Sequence, residues 1–542
     1  MKIRNGATLS AVLMVLFAGG AVSVADGVPG RVLERETIAI VEGKETPVPS
    51  IAMGDTESVA LILKEGKDNN KVMDHLTYLT KQIGARLTGS TNCETANRWC
   101  AAQYESWGLT GVQVEQWGEV ATRFDRGPST MKMVIKRQAP APRPAGEGGA
   151  SGRGEGAGGG RGGENGGRGE GGRGAEGGEQ PAASAEPQYT TLKELQFTTL
   201  AWTRGTNGTV RGPVIWMPET EQEYAKLKEE NKLKGAWILV KAPPPQGRRG
   251  VQDGMSATFS QKLEARKAVA EGTKKLEELP IKQRIALEGI AGFISASRDE
   301  RVSTTGAPGW RDRKASDIPE DVAIVVRRGD YDAINSRIAD GEPVEIEANL
   351  EHTLTEGPFP VYNTIAEIRG SEKPEEVVIV SAHLDSWNGP GSEGCTDNGT
   401  GSSVVLEAAR ILSAAIKNGA KPPKRTIRFI NWTGEEQGLL GSKGYIDKRK
   451  DELLKTVSAC FVDDGGTNYE GGLVCTAEQI DYMAAATAPI NNQFYSETDK
   501  KWMNVNVKKG VGGRSPGGGS SDHASFNRVG IPGFFWDEVG RA

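Results

Sequence analysis

The chain has 542 residues and a formal net charge of −5 at neutral pH. Hydrophobic residues make up 37% of it and charged residues 25%, which is enough apolar material for a core and excludes a wholly disordered chain. The net negative charge argues against a general nucleic-acid binder, and five cysteines in so long a chain do not form a disulfide scaffold.

The first 25 residues have the pattern of an export signal. Lys2 and Arg4 give a basic start, an apolar stretch follows over 11–22, and small residues end the segment at Ala25. The apolar stretch is shorter than the roughly 20 residues that a membrane-spanning helix needs. We therefore predict a signal peptide over 1–25 and an exported protein, periplasmic or secreted, without a membrane span.

A tract of different composition covers residues 139–187, where glycine dominates, aromatic residues are missing and the only charges are Arg and Glu. Such a segment buries too little apolar surface to offset the entropy of the chain. Its RGG-like repeats are compatible with RNA binding, but its near-neutral charge in an exported chain favours a disordered linker. We expect no nucleic-acid partner.

Before this tract, the pattern predicts helices over 67–84 and 92–107 and a strand over 112–120. After it, residues 188–350 have the alternation of a β-rich unit, with strands predicted over 209–217 and 234–242 and, within 285–297, a helix end, a glycine turn and a strand.

From about residue 361 the pattern changes to α/β. We predict strands over 375–383, 425–432, 457–463 and 531–536, and an amphipathic helix over 401–419. The first of these strands is an uninterrupted apolar run, as expected of a strand buried on both faces. Strands alternating with helices predict a doubly wound, mostly parallel sheet, whose ligands lie at the carboxyl ends of the strands.

Polar residues with metal-binding chemistry follow these strands. His383 and Asp385 end the first strand, Asp397 lies in a glycine-rich loop before the helix, and Glu435 and Glu436 follow the next strand. Taken singly, each has an ordinary explanation: a hydrogen-bonded core histidine, a helix N-cap and a solvated acidic turn. Paired carboxylates, however, repel each other unless a cation or a proton lies between them.

The following strand ends in Asp463 and Asp464, which adds acidic groups at the same edge. His, Asp, Glu-Glu and Asp thus follow consecutive strands of one sheet. Imidazole and carboxylate together suit zinc. The combined pattern therefore predicts a metal site.

With these motifs the chain resembles the dizinc exopeptidase family, which includes bacterial secreted aminopeptidases and plasma glutamate carboxypeptidase (carboxypeptidase Q). The sequences HLDSW and DDGGT resemble the latter branch, and SDHASF (521–526) and GIP (530–532) resemble the segment between the fourth and fifth metal ligands. The β-rich unit is similar to the protease-associated domain that many exported peptidases carry.

The resemblance implies two zinc ions and a role for each motif residue. His383 and Asp464 hold one zinc, Asp397 bridges both ions, Glu436 binds the second zinc, and Glu435 acts as general base on a zinc-activated water. The substrate is then a short peptide or dipeptide, hydrolysed at one end.

Further expectations concern the surroundings of these ligands. Asp385 is expected behind the metal ligands, since a histidine bound to metal usually donates its other ring nitrogen to a carboxylate or carbonyl. Asp464 is preferred over Asp463 because the family's ligand directly precedes the small-Gly-Thr run. The family also tends to hold the bond after the bridging aspartate, here Asp397–Asn398, in the cis form.

The domain division that follows has five parts. They are a signal peptide (1–25), the N-terminal part of the peptidase domain (26–138), the linker (139–187), a protease-associated-like domain (188–350) and the zinc peptidase domain (351–542).

Two other functions remain open: a glutaminyl cyclase, which shares the fold but uses one zinc, and a receptor-like binding protein that keeps the architecture without catalysis. The choice between aminopeptidase and carboxypeptidase or dipeptidase is also open. Arg514 is a candidate partner for a substrate carboxylate, although a surface arginine in a flexible loop is the simpler interpretation. His523 is expected to line the pocket or to pack rather than to bind zinc. The oligomeric state is undetermined.

One last expectation concerns the second zinc, to which this assignment gives Glu436 and Asp397 but no histidine. In the family that ligand lies a few tens of residues beyond the GIP segment, whereas this sequence ends at Ala542. We expect a C-terminally truncated peptidase domain with an incomplete second metal site.

Overall fold

The structure is a computed structural model that describes residues 37–51, 54–136, 188–242, 264, 267–318, 320, 322–466, 469–497, 499–510 and 521–539. The predicted signal peptide, the tract 139–187 and Arg514 lie outside the described residues. In the part of the chain described, no helix combines the length and hydrophobicity that a membrane crossing requires.

The helices are α1 (Thr56–Asp68), α2 (Val72–Thr77), α3 (Thr91–Trp107), α4 (Glu221–Glu229), α5 (Ile281–Ile285), α6 (Arg328–Ala339), α7 (Thr400–Lys417), α8 (Leu440–Thr456), α9 (Ile480–Thr487) and α10 (His523–Arg528). The strands are β1 (Ala39–Val41), β2 (Lys44–Thr46), β3 (Thr110–Lys136), β4 (Tyr189–Glu194), β5 (Phe197–Thr198), β6 (Val210–Trp216), β7 (Trp237–Leu239), β8 (Gly292–Ala296), β9 (Val322–Val326), β10 (Glu345–Ile368), β11 (Lys373–His383), β12 (Arg425–Trp432), β13 (Val457–Val462), β14 (Tyr469–Cys475), β15 (Phe494–Ser496), β16 (Lys501–Met503), β17 (Asn506–Lys509) and β18 (Gly533–Val539).

The centre of the α/β part is a parallel sheet in the order β12-β11-β13-β18. Antiparallel strands continue it on both sides, β10 next to β12 and β14 next to β18. The predicted α/β class with a mostly parallel sheet is confirmed. The carboxyl ends of β11, β12 and β13 lie at one edge, and the predicted ligands follow these ends.

Both faces of this sheet are covered by helices, as the apolar run of β11 predicts. Val378 and Val380 belong to the core cluster that includes the apolar residues of α7. Val377 and Ile379, which point the other way, belong to the cluster that includes Tyr445 of α8. Burial on both faces fixes the position of β11 and of the histidine at its end.

Residues 188–350 contribute a second core around the parallel strands β6 to β9, with β5 antiparallel to β9. The long antiparallel pair β3 and β10 runs from this part into the α/β part. The predicted boundary between residues 350 and 351 lies within β10, and the division into domains stays a prediction. The register of β10 shifts near the cis peptide bond Gly357–Pro358, consistent with prolines being confined to irregular points of strands.

Two element predictions differ clearly in extent: the strand expected over 112–120 is the much longer β3, and the helix expected over 67–84 is divided. Helix α1 ends before it, at Asp68, and α2 begins at Val72 and continues as a π-helical turn over Tyr78–Ile83. Asn69 caps α1, with its backbone N–H donating to the Glu65 carbonyl. Two consecutive asparagines, which have low helix propensity, interrupt the apolar pattern at this point.

Candidate metal centre

His383, the last residue of β11, presents one ring nitrogen to a cluster of carboxylates. Its Nδ1 lies 3.0 Å from the backbone carbonyl oxygen of Asp385 and 3.5 Å from that residue's Oδ1. Because a carbonyl oxygen only accepts, Nδ1 carries the hydrogen and Nε2 faces the carboxylates. The orientation is the one that metal-binding histidines usually adopt.

Three predicted residues converge on Nε2 of His383. Asp464 Oδ1 lies 2.9 Å away, Asp397 Oδ1 3.2 Å and Glu435 Oε2 4.0 Å. His383, Asp397 and Asp464 each offer one ligand atom, and these atoms all lie within 4.8 Å of one another. An imidazole and two carboxylates at this spacing fit a zinc ion, which prefers nitrogen and oxygen ligands of these types.

Glu436 lies at the edge of this group. Its Oε1 accepts a hydrogen bond from the backbone N–H of Trp387 at 3.3 Å. Burial raises the pKa of Glu436 to about 8, and the charge of Asp397 adds to this rise. The carboxylates of Glu436 and Asp397 therefore interact, as a pair that shares a cation would.

Asp385 connects the two loops that carry these residues. Its Oδ1 accepts the backbone N–H of Glu435 at 3.3 Å, and its Oδ2 accepts the N–H of Glu436 at 3.4 Å and the hydroxyl of Thr88 at 2.9 Å. Asp385 is fully buried. Its carboxylate thus holds the Glu435–Glu436 turn, while its carbonyl orients the ring of His383.

Several buried carboxylates surround the imidazole of His383 in this site, and they shift one another's pKa values. Burial would lower the pKa of His383, but Asp464 and the other carboxylates raise it well above its usual value. Burial raises the pKa of Glu435 to about 9, a rise that His383 opposes and Asp522 reinforces. His383 in turn holds the pKa of Asp464 below its usual value despite burial. Added positive charge would stabilise this cluster.

Of the two aspartates after β13, Asp464 faces the imidazole, and its choice as the metal ligand stays a prediction. The backbone carbonyl of Asp463 instead accepts a hydrogen bond from Nδ2 of Asn398 at 2.8 Å. The peptide bond between Asp397 and Asn398 is cis, as the resemblance implies.

Arg86 is a residue of the site that sequence reasoning missed. Its guanidinium is fully buried and donates to four backbone carbonyls, Leu384 at 2.7 Å, Gly394 at 2.7 Å, Gly84 at 3.1 Å and Glu393 at 3.3 Å. These bonds join both ends of the loop between His383 and Asp397. An arginine in the short loop before α3 gives no sequence signal for this role.

Asp522 was also missed, although it lies within the quoted SDHASF motif. It is fully buried, and among the described residues neither carboxylate oxygen has a hydrogen-bond partner of normal geometry. Burial raises its pKa to about 7, while the nearby Ser442 hydroxyl and His383 oppose the rise. Asp522 adds to the negative charge around Glu435.

His523 is buried, and its ring packs against Phe535 with centroids 5.1 Å apart. Burial lowers its pKa to about 4, although the charge of Asp464 opposes this. Its ring lies beside the cluster and outside the group of converging ligand atoms. The other two histidines contact groups elsewhere, His75 with Glu407 and His352 with Arg126.

Comparison with known proteins agrees with this chemistry. Residues 363–541 match the family model described as Peptidase family M28. Carboxypeptidase Q of Rattus norvegicus is 34% identical over 160 residues, which cover 28% of this chain and 32% of that protein. A Glutamate carboxypeptidase 2 homolog of Caenorhabditis briggsae is 33% identical over 184 residues, covering 32% and 23%.

Residues 363–541 are therefore similar to peptidase family M28, and the predicted resemblance to the exopeptidase family is confirmed. The matched segment spans between about a quarter and a third of the length of these curated relatives. Two solved structures align over more of the chain. A peptidase M28 precursor from Shewanella amazonensis SB2B has 20% identity and a TM-score of 0.48, covering 89% of this chain and 88% of that chain. An aminopeptidase from Aneurinibacillus sp. strain AM-1 has 16% identity and a TM-score of 0.41, covering 89% and 87%.

Proposed function

We propose that this chain is an exported, zinc-dependent exopeptidase that hydrolyses short peptides or dipeptides. The observation that carries the proposal is the convergence of Asp397, Asp464 and Glu435 on the ring nitrogen of His383. The match of residues 363–541 to peptidase family M28 supports the reaction class.

His383 and Asp464 would hold the first zinc, Asp397 would bridge, and Glu436 would serve a second ion. The first position has an imidazole and two carboxylates, whereas Asp397 and Glu436 give the second only carboxylate oxygens. We therefore propose one tightly held ion and a second held more weakly. Bound zinc supplies Lewis-acid activation of a water and of the scissile carbonyl.

Glu435 is proposed to accept the proton of the attacking water and to deliver it to the leaving amine. Its backbone is held by Asp385, so its carboxylate is aimed at the same space as Nε2 of His383. A base must be ionised, and a cation beside Glu435 favours that form against the effect of burial.

We propose export from the sequence of residues 1–25, and a protease-associated-like unit over 188–350 from its strand pattern.

The end of the peptide at which cleavage occurs stays open, so the enzyme is an aminopeptidase, a carboxypeptidase or a dipeptidase.

The test is hydrolysis of a panel of dipeptides with free, N-blocked and C-blocked ends, before and after removal of metal by a chelator. We expect hydrolysis that is lost on chelation and restored by added zinc, and that is absent in His383→Ala. An N-terminal glutamine peptide in the same panel detects cyclisation. Absence of peptide hydrolysis by the zinc-loaded chain would contradict the proposal.

A further inference from the structure

A cavity of about 410 Å³ opens beside the metal-binding cluster, within the size range of small-molecule sites. Glu436 and residues of the loop 387–397, including Asp397, line it. Residues 197–198 and 302–304, from the part of the chain between 188 and 350, form the opposite side. The cavity is therefore shared by the two parts of the molecule.

The apolar side chains that line this cavity include Phe197, Val302 and Trp387. Phe197 is buried in the core around β6 to β9, and Trp387 packs against the cluster that includes Trp202. Both rings are therefore held by packing, and they present fixed apolar surface near the ligands.

The two sides of the cavity are in close contact at Gly389. A Cβ added to Gly389 would lie 2.2 Å from the hydroxyl oxygen of Thr304 and 3.5 Å from that of Thr198. These two hydroxyls are hydrogen-bonded to each other. The loop that leads to Asp397 is thus fitted against residues 197–198 and 302–304, which keeps this wall at a fixed position relative to the metal-binding residues.

We propose that this cavity holds an apolar side chain of the substrate, and that Phe197, Val302 and Ser303 determine the specificity of the enzyme. The inference rests on the proposed peptidase function and adds to it the class of side chain that is accepted. The side of the cavity formed by residues 197–198 and 302–304 would then select the peptide, while the α/β part of the chain performs the hydrolysis.

Charge supports a neutral rather than an acidic side chain. The charged groups in the described lining are the carboxylates of Glu393, Asp397 and Glu436, and no lysine or arginine lines this described surface. Glu393 has its own partner, with its Oε1 2.6 Å from Nζ of Lys81. With Asp397 and Glu436 bound to zinc, a substrate carboxylate entering here would lose water without meeting a lysine or arginine of the described lining.

The direct test places a cation on the wall at Ser303, which is exposed and lines the cavity. We compare kcat/KM of the zinc-loaded wild type, Ser303→Lys and Val302→Ala for dipeptides that differ only in one leucine, phenylalanine or glutamate side chain. Ser336→Lys, on an exposed position of α6 away from the cavity, is the matched control. Binding of the same peptides to zinc-loaded Glu435→Gln, with and without Ser303→Lys, is measured by calorimetry.

We expect the wild type to prefer the apolar peptides and Ser303→Lys to raise the ratio of glutamate to leucine turnover at least tenfold. Val302→Ala should change the ratio of phenylalanine to leucine several-fold, and Ser336→Lys should change neither. Unchanged ratios in active Ser303→Lys and Val302→Ala would overturn the assignment of the cavity. If neither the wild type nor any variant hydrolyses peptides, the proposed function fails, but calorimetry still tests the assignment of the cavity. Weaker binding of the apolar peptides by the Ser303→Lys form supports the assignment. Equal binding by both forms, or no binding, overturns it.

Discussion

Oδ1 of Asp385 accepts a hydrogen bond from the backbone N–H of Glu435 at 3.3 Å, which joins two loops that are fifty residues apart in the chain. The same aspartate orients His383 through its carbonyl oxygen. One buried residue thus fixes both the imidazole and the carboxylate proposed as base, so a change at Asp385 should affect metal binding and turnover together.

Asp385→Asn should lower zinc affinity or kcat/KM by about 10–100-fold, the range typical of partners behind metal ligands. The amide has one accepting oxygen, whereas the carboxylate now serves Glu435, Glu436 and Thr88 with two. Zinc titration and steady-state kinetics measure the effect. Asp332→Asn, at an exposed position of α6, should leave both unchanged; an Asp385→Asn enzyme with wild-type values would contradict this role.

Zinc affinity should rise with pH between about 6 and 9. The pKa of His383 lies well above its usual value and that of Glu436 is about 8, so without metal these two ligands hold protons at pH 7. Zinc must displace protons from its ligands, and its apparent affinity therefore falls as the pH falls. Calorimetry in two buffers of different ionisation enthalpy should detect proton release at pH 7. Binding without proton release, or with the same affinity at pH 6 and 9, would show that these pKa shifts are absent.

Arg86→Met should destabilise the protein by at least about 3 kcal/mol, because four carbonyl acceptors lose a charged donor in a buried position. Arg86→Lys should recover only part of this, since an ammonium cannot reproduce the planar set of donors. Denaturant unfolding gives the stability, and zinc titration should show weaker binding as the loop to Asp397 loosens. A stable Arg86→Met protein with normal zinc affinity would contradict the role of this residue.

His352 should make the protein less stable in acid. Burial lowers its pKa to about 3, with the charge of Arg126 adding to the effect, against 6.5 for the exposed group. Between these values the unfolded chain binds a proton that the folded chain does not. The free energy of unfolding is therefore unaffected above about pH 6.5 and falls by up to about 1.4 kcal/mol per unit below it.

His352→Gln isolates this effect because glutamine does not titrate. The difference in stability between the wild type and this variant at pH 7 is the reference for the same difference at lower pH. We expect urea midpoints of the wild type and the variant to converge or cross as the pH falls from 7 to 5. A constant difference between them over this range would show that His352 does not titrate in this way.

The sequence predicts the α/β part well because its signals are local. The strand expected over 425–432 is β12 residue for residue, and the helix expected over 401–419 is α7 to within two residues at its end. Hydrophobic periodicity among residues close in sequence is enough to predict a strand buried on both faces and an amphipathic helix that ends at a glycine. The position of ligands at strand ends then follows from parallel topology.

What the sequence does not reveal depends on contacts between distant segments. Arg86 bonds only to backbone carbonyls, so no pairing of charges in the sequence points to it. The bond from Glu435 to Asp385 depends on how two loops approach each other in the fold. The length of β3 and β10 was likewise hidden, since much of this pair is only half-buried and two prolines interrupt β10.

The most direct measurement of the central claim is turnover by zinc-loaded Glu435→Gln beside the wild type, with the zinc content of each sample determined. We predict equal zinc content and a kcat lowered about 10²–10⁴-fold, because the variant keeps its metal ligands but cannot accept the proton. Glu105→Gln, on an exposed position of α3, should retain full activity. Near-normal turnover by Glu435→Gln with zinc bound would contradict the proposed general base.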